Sequence, residues 1–576
     1  MNILGISCGH DASACLLVQG SIVADVAEER FSRIKHDASF PQQAIAYCLE
    51  EAGISSEEID VVAIGGRFLP VAMERYLVLS PAQVAALAAM RPVEAKARQL
   101  LLRSTPGELP LYMKRFALAP ACRLIGVEHH LSHAAAACFT RGRRDRCLIL
   151  TLDGIGDDVA AAVWTGEGND IHPIASWGRE ASLGWFYGNV TEALGWQHGD
   201  GEGVTMGLAP YGDARQVGDA LDRFHPRFDD GVLSVPHDYG EASLVNEHGT
   251  WHWHLPDANP IQALAQERGA ANVAARAQEI VEEQVLSLVR HWTGALQLPR
   301  LACAGGLFLN VKLNQRLWRD AGLEEFWIYP NPGDAGLSAG AALYAWHQLA
   351  QPATTMQLGH LYHGPAYGDE EVRAILEARG LAFRRVDDPA LAAAQFLAND
   401  RIVGWFQGRM EAGPRALGNR SILMSANRAG NKDVLNSRVK FRQAFRPFCP
   451  AILFEKKEDY LQHAREEPFM ITAFEVTPGK RDAVPAVVHA DGTLRPQTVR
   501  RETNPRFHDL IRAFGDLTGE YLVLSTSFNV RNEPIACHPR EAIRCFFDTG
   551  IDVLVIGNFV LEKPGAPVVQ AVRGSP

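Results

Sequence analysis

His129 and His133 stand four residues apart. If Leu131 to Cys138 is helical, the two imidazoles lie one turn apart on one face, where they can share a metal ion. An isolated H-x-x-x-H is also common in helices that bind nothing. His130, off that face, reads as structural or as a hydrogen-bond donor. Asp153 and Asp334 each fall in a Gly-containing turn after an apolar strand. Such turns bring carboxylates to a ligand or a metal, although an Asp there is often only a cap. Two His and two Asp together suit a hard-to-borderline divalent ion.

Two glycine turns have the chemistry for phosphate or nucleoside. Gly154-Ile155-Gly156 can present backbone N–H groups to an anion. Gly305-Gly306 precedes an expected helix, whose N-terminus favours anions or the close approach of a nucleotide. Both also serve as plain tight turns, and no G-x-x-x-x-G-K-[ST] loop is present, so conventional P-loop use of ATP is unsupported. His10 sits beside Asp11 in the first hairpin. Such a pair is more often structural, but in a cleft a neutral His takes a proton from an attacking hydroxyl. Lys35-His36-Asp37 is a second polar loop cluster open to the same two readings.

Charge is concentrated in one block. Arg401, Arg409, Arg415, Arg420, Arg428, Lys432, Arg438, Lys440, Arg442 and Arg446 face only Glu411 and Asp433. The block is +8 and leaves −19 on the rest of a chain whose total is −11. Gly408, Gly413, Pro414, Gly418 and Pro447 interrupt it, so it is not one long exposed helix. Arginines on turns that converge on a cleft suit a phosphate-rich small ligand. Structural ion pairs or a nucleic-acid face are the alternatives.

These residues need elements to hold them. The start reads as strands at Asn2 to Ser7, Ala14 to Val18 and Ile22 to Ala27, a helix from Gln42 to Glu51, and a strand at Asp60 to Ile64. A similar run recurs: Cys147 to Leu152, the turn Asp153 to Asp157, Val159 to Trp164, and Ile171 to Trp177. Two such units point to a duplicated fold. A helix over Val273 to Trp292, strands at Leu301 to Ala304 and Phe326 to Tyr329, and a helix over Leu337 to Leu349 complete the pattern. The Pro- and Gly-bearing stretch from Gln351 to Tyr367 marks a join, giving domains 1–352 and 353–576, the second of mixed α and β.

The 576 residues, 47% of them hydrophobic and 21% charged, exclude a mostly disordered or collagen-like chain. No apolar run reaches the ~18 residues that a membrane helix needs. Met1 to Ser7 lacks the basic region of a secretory signal. Ten Cys with no C-x-x-C pair suit a reducing cytoplasm.

Taken in order, these segments resemble the O-carbamoyltransferases of antibiotic, nodulation-factor and toxin biosynthesis. The resemblance rests on Gly9-His10-Asp11-Ala12-Ser13-Ala14, Glu28-Glu29-Arg30-Phe31-Ser32-Arg33 and His129-x-x-x-His133. It continues through Leu152-Asp153-Gly154, Met206 to Gly212 and Gly305-Gly306-x-x-x-Asn310. It ends with Gly413 to Gly418, Phe445-Arg446-Pro447-Phe448 and Ser527-Phe528-Asn529. It implies an α/β N-terminal domain with the duplicated actin/sugar-kinase-like fold, like the tRNA threonylcarbamoyl transferase. It also implies a mixed α/β C-terminal domain like the threonylcarbamoyl-adenylate synthase, whose K-x-R…S-x-N signature matches Lys440-Phe441-Arg442 and Ser527-Phe528-Asn529.

By the same resemblance, the C-terminal domain makes a carbamoyl adenylate from carbamoyl phosphate and ATP, the ATP carrying Mg2+. An acceptor hydroxyl attacks the adenylate in the N-terminal domain. Arg415, Lys440, Arg442, Arg446 and Arg495 are implied as phosphate clamps, with Arg446 an alternative to Arg442. A divalent metal, iron, is implied on His129, His133, Asp153 and Asp334. Gly305, Gly306 and Asn310 are implied beside the adenosine, and His10 near the transferred group as general base or orienter. The expected partner is a small-molecule hydroxyl acceptor, with no nucleic acid and no membrane.

Two other readings stand beside this one. The first is tRNA threonylcarbamoyl modification, which the −19 charge outside the basic block disfavours. The second is a non-catalytic nucleotide-binding module. The acceptor's identity is not legible. Leu69 to Leu118 is expected to be helical, and its Met73, Tyr76, Met90, Tyr112 and Met113 fit an acceptor surface, ordinary core packing or a homodimer contact.

Overall fold

The computed structural model describes residues 1–66, 73–90, 116–236, 243–247 and 250–563. The chain forms two compact units, Met1–Leu358 and Gly359–Pro576.

The first unit holds two five-stranded sheets. One contains β1 (Asn2–Ser7), β2 (Ser13–Val18), β3 (Ser21–Ala27), β4 (Val61–Gly65) and β5 (Arg123–Val127) in the order β3-β2-β1-β4-β5. The other contains β6 (Cys147–Gly156), β7 (Val159–Glu167), β8 (Asp170–Gly178), β9 (Arg300–Ala304) and β10 (Glu325–Ile328) in the order β8-β7-β6-β9-β10. In each sheet the first three strands are an antiparallel meander, and the last two run parallel to the first. The expected duplication is therefore present, in the α/β form of the actin/sugar-kinase type.

Two helices are exchanged between the halves. Helix α1 (Gln42–Ala52) stays on the first sheet, whereas α2 (His129–Phe139), which follows that sheet, packs on β6 and β9 of the second. After the second sheet, α3 (Leu337–Ala350) packs on β1 and β4 of the first. Small residues allow this. A Cβ on Gly5 would overlap the Ser338 carbonyl of α3, and one on Gly340 would overlap the Ser132 carbonyl of α2. Ala134 to Ala137 and Ala339, Ala341 and Ala342 line the contact and are buried. Ser13 Oγ and Ser338 Oγ hydrogen-bond across it at 2.8 Å.

One expectation needs correction, and one open choice is decided. Asp153 to Gly156 is not a turn: β6 runs on through Gly156 with an irregular register after Leu152, and the chain reverses at Asp157-Asp158. Both of those residues have positive φ, as a tight hairpin turn demands. In the 69–118 segment, helices cover Met73–Tyr76 and Pro81–Ala89. Met73 and Tyr76 are buried in the core of the first sheet, and Met90 packs against that core. Tyr76 also stacks on Phe40, with ring centroids 4.4 Å apart. These three residues pack the core; Tyr112 and Met113 lie outside the described residues.

The second unit is built on one mixed eight-stranded sheet. Its strands are β11 (Arg384–Arg385), β12 (Val403–Phe406), β13 (Arg420–Ser425), β14 (Cys449–Leu453), β15 (Gln497–Val499), β16 (Leu522–Ser527), β17 (Val553–Ile556) and β18 (Phe559–Glu562). They lie in the order β11-β18-β17-β12-β13-β16-β14-β15. Helices over Pro389–Ala398 and Pro505–Thr518 share one hydrophobic core with this sheet, and the helix over Pro539–Asp548 contributes to another. All three begin with Pro in the first turn, and Asp388, Asn504 and His538 cap them with side-chain acceptors. Among the described residues, no helix is long and apolar enough to cross a membrane.

Candidate active site

Helix α2 begins with Glu128 capping the N–H of Leu131 at 2.7 Å, so His129 and His133 fall on consecutive turns of one face. Their Nε2 atoms are 3.2 Å apart. Asp153 Oδ2, from β6, lies 3.2 Å from His129 Nε2 and 3.1 Å from His133 Nε2. Asp334 Oδ1, from the turn before α3, lies 3.5 and 3.7 Å from the same two atoms. The four ligand atoms all lie within 4.8 Å of one another. The four side chains predicted to hold a metal are thus gathered at one point.

Burial lowers the His129 pKa, but Asp334 and Asp153 outweigh it and raise it to about 9. Burial likewise opposes protonation of His133, and hydrogen bonds to Asp153 and Asp334 reverse the sign. Asp153 is held well below the carboxylate range: burial raises it and the two imidazoles overcome that. Asp334 is raised by burial and by the charge of Asp153. Two imidazole nitrogens and two carboxylate oxygens converging in a mostly buried pocket fit a divalent cation, which replaces protons as the counter-charge. His130 is not part of this set. Its Nδ1 pairs with Thr151 Oγ1 and its Nε2 with the Val159 carbonyl, both at 2.9 Å, and burial lowers its pKa to about 3.

The glycines around this cluster have a steric role that the sequence reading did not assign. A Cβ on Gly156 would overlap the His129 ring. A Cβ on Gly306 would sit 2.8 Å from Asp153 Oδ1. Gly305 has φ +106, and a Cβ there would overlap the Leu152 carbonyl. Gly154 has more room, with the Trp185 ring at 3.4 Å from its Cβ position. Asn310 caps the helix Val311–Asp320 through Lys312 N and Leu313 N, and its Nδ2 donates to Gln278 Oε1 at 2.9 Å.

His10 is half exposed at the end of β1, with Nδ1 3.1 Å from Asp11 Oδ2. Asp11 Oδ1 is 2.7 Å from His36 Nδ1. Lys35 pairs with Asp200 beside them. The Lys35-His36 cluster singled out by sequence therefore joins His10, whereas Asp200, 165 positions after Lys35, had no sequence signal.

In the second unit, the basic block divides. Arg401 and Arg438 pair with Asp552, and Arg428 pairs with Asp400. Arg409 donates to the carbonyls of His363 and Gly364. Arg420 is fully buried over the Phe406 ring and donates to the carbonyls of Gln407, Gly408, Asn419 and Pro365. These five are structural.

Arg415, Arg442 and Arg446 instead crowd together with Arg495, which comes from outside the block. Burial lowers the Arg415 pKa to about 9, helped by the charges of Arg495 and Arg446. Burial lowers Arg442 to about 9 as well, helped by Arg446 and Arg495. Arg442 lies over the Phe448 ring at 4.2 Å and donates through Nε to Asn436 Oδ1. Arg495 donates to Cys449 Sγ through Nε at 3.0 Å and Nη2 at 2.7 Å.

The loop that carries Arg415 is folded around Glu411. Its buried Oε1 accepts from the backbone N–H of Leu417, Asn419 and Arg420 at 2.7, 2.7 and 3.2 Å. Glu411 was legible only as one of two acids inside the basic block. Lys440 is buried, and burial lowers its pKa to about 7 with help from Arg442. Its Nζ donates to Ser527 and Asn529, so the two halves of the K-x-R…S-x-N pattern meet.

Comparison with known proteins agrees along the whole chain. Residues 2–343 match the family model described as the carbamoyltransferase N-terminus, and residues 394–563 match the one described as the carbamoyltransferase C-terminus. An uncharacterized protein of Synechocystis sp. is 37% identical over 98% of this chain and 97% of its own. Nodulation protein NolNO of Sinorhizobium fredii is 36% identical over 96% of this chain and 79% of its own. Nodulation protein U of the same organism is 28% identical over 98% of this chain and the whole of its own. Both family regions are present in sequence order, and the chain belongs to the carbamoyltransferase family.

Proposed function

We propose that this carbamoyltransferase works in two steps. The second unit hydrolyses carbamoyl phosphate to carbamate and inorganic phosphate, then joins the carbamate to the α-phosphorus of ATP, the latter with Mg2+, giving carbamoyl adenylate and pyrophosphate. The first unit transfers the carbamoyl group to a hydroxyl of a small-molecule natural product and releases AMP. The observation that carries this reading is the crowding of Arg415, Arg442, Arg446 and Arg495. Two of these guanidiniums have pKa values lowered to about 9, through burial and mutual repulsion. Cations gathered at that electrostatic disadvantage suit a polyanion, which reverses the sign of the local potential when it binds.

In the activation step, the arginines neutralise charge on the phosphates as the carboxyl oxygen of carbamate attacks the α-phosphorus and pyrophosphate leaves. Lys440 holds Ser527 and Asn529 in place and adds its charge to the same region. In the transfer step, His10 takes the proton from the acceptor hydroxyl as that oxygen attacks the carbamoyl carbon. His129, His133, Asp153 and Asp334 would hold a divalent cation, which we assign as iron from the family resemblance. When bound, it would supply Lewis-acid polarisation and a counter-charge for the nucleotide phosphate. The acceptor is a small molecule rather than a tRNA, because the chain outside the basic block carries −19.

The test is pyrophosphate release from ATP, with and without carbamoyl phosphate. Release that depends on carbamoyl phosphate supports the activation step; no release under any condition overturns it. A panel of hydroxylated metabolites screened for carbamoylated product by mass identifies the acceptor.

A further inference from the structure

Behind His10 lies a charged array built as one unit. A single carboxylate, Asp11, carries two imidazoles, with His10 Nδ1 3.1 Å from Oδ2 and His36 Nδ1 2.7 Å from Oδ1. The two rings are stacked, with centroids 4.9 Å apart and 18° between their planes. His36 is itself held: its backbone N–H donates to Glu29 Oε2 at 2.9 Å, and its Nε2 lies 3.8 Å from Asp200 Oδ1. The array needs unusual backbone, with φ of +104 at Gly9, +58 at Asp11 and +55 at His36. Left-handed backbone is strained at a non-glycine residue and persists where the surroundings over-determine it.

We propose that His36 is the positioning residue for His10. By occupying Oδ1 of Asp11, it fixes Oδ2 on His10 Nδ1. His10 is then locked as the Nδ1–H tautomer, and its Nε2 lone pair is left bare for the acceptor hydroxyl. This rests on the reading of His10 as the proton acceptor. A carboxylate with one oxygen unclaimed can rotate about its Cβ–Cγ bond and lose the aligned contact with His10. His36 removes that freedom.

The charges agree. Burial lowers the pKa of His36, but Asp11, Asp200 and Glu29 outweigh it and raise it to about 10. As an imidazolium, His36 is a donor to Asp11 whose tautomer is not in question. Lys35, paired with Asp200, sits beside it.

The test follows the tautomer of His10 in the full-length chain, labelled with 15N-histidine and loaded with diamagnetic zinc. The His10 resonances are assigned by their loss in His10→Asn. His10 in the unmodified protein is expected as the Nδ1–H form. His36→Ala should shift it toward the Nε2–H form that free imidazoles favour. In His36→Asn the amide can donate to Asp11 in place of Nδ1, so the Nδ1–H form should return.

Transfer should fall on the order of tenfold in His36→Ala and largely recover in His36→Asn. An unchanged tautomer in His36→Ala overturns the proposal, as does its loss in a folded His36→Asn. If the tautomer behaves as expected while His10→Asn leaves transfer intact, the reading of His10 as proton acceptor falls and the positioning relation stands.

Discussion

Lys440 is bound twice by Asn529: its Nζ donates to the side-chain Oδ1 at 2.7 Å and to the backbone carbonyl at 2.8 Å. With the Ser527 carbonyl at 2.6 Å, the ammonium form finds an acceptor for each of its three protons. The lysine therefore acts on the loop of Ser527 and Asn529 as well as on any phosphate. Lys440→Ala leaves those oxygens buried without their donor, a loss of about 1–3 kcal/mol in stability. We expect it to abolish pyrophosphate release while the protein still unfolds cooperatively at a lower midpoint. Retained pyrophosphate release would remove Lys440 from the activation step.

The same residue makes substrate binding pH-dependent. Its pKa in the empty protein is lowered to about 7, so much of it is neutral at pH 8. A bound polyanion favours the charged form and raises that pKa, so binding takes up protons. Carbamoyl phosphate should therefore bind more weakly as pH rises from 7 to 9. Calorimetry at pH 8 in buffers of different ionisation enthalpy should show net proton uptake, and most of that uptake should be lost in Lys440→Ala.

His10 and the clamp lie in different units, which separates their defects. His10→Asn should leave pyrophosphate release within about twofold and lower carbamoyl transfer by about 100-fold, the low end for a general base. Equal loss of both half-reactions would mean that the two-site assignment is wrong.

The four-donor cluster predicts stabilisation by a divalent cation. At a hundredfold excess over its dissociation constant, a bound ion adds about 2.7 kcal/mol to the folded state. Thermal unfolding of chelator-treated protein should move upward when Fe2+ or Zn2+ is returned, and His133→Ala should remove that shift. Chelation should suppress transfer more than pyrophosphate release. Full transfer activity in metal-stripped protein would remove the cluster from the reaction.

Gly156 offers a test that touches no donor atom. A methyl group there overlaps the His129 ring, which must then turn away from Asp153. Gly156→Ala should weaken metal binding by tenfold or more, measured by competition with a chromophoric chelator. Gly203→Ala, where a Cβ meets nothing within 4 Å, should leave it unchanged.

Local pattern made much of this legible. Strand and helix limits in the first unit follow apolar runs and glycine stops to within a few residues, because both halves use short, regular elements. The H-x-x-x-H spacing put both imidazoles on one face once His129 to Phe139 proved helical. What sequence could not show depends on contacts between distant segments. Asp200 reaches His36 only through the fold, and Arg495 joins Arg415 and Arg442 from outside the basic block. Arg401 and Arg420 look identical to Arg415 in sequence; only the partners Asp552 and the loop carbonyls mark them as structural. The glycines near Asp153 looked like an anion cradle, while their clearest constraint is the space that the neighbouring ligand side chains need.

The exchange of α2 and α3 has a consequence for the choice of ion. His129 and His133 ride on α2, Asp334 stands at the head of α3, and the two helices touch through backbone at Gly340 and Ser132. Glycine and alanine leave that contact little side chain to absorb a change of radius. An ion of the wrong size must part the helices or lose a donor, so the fold works as a caliper. For a divalent cation held by these four donors, selectivity would then be set by helix spacing as much as by donor identity.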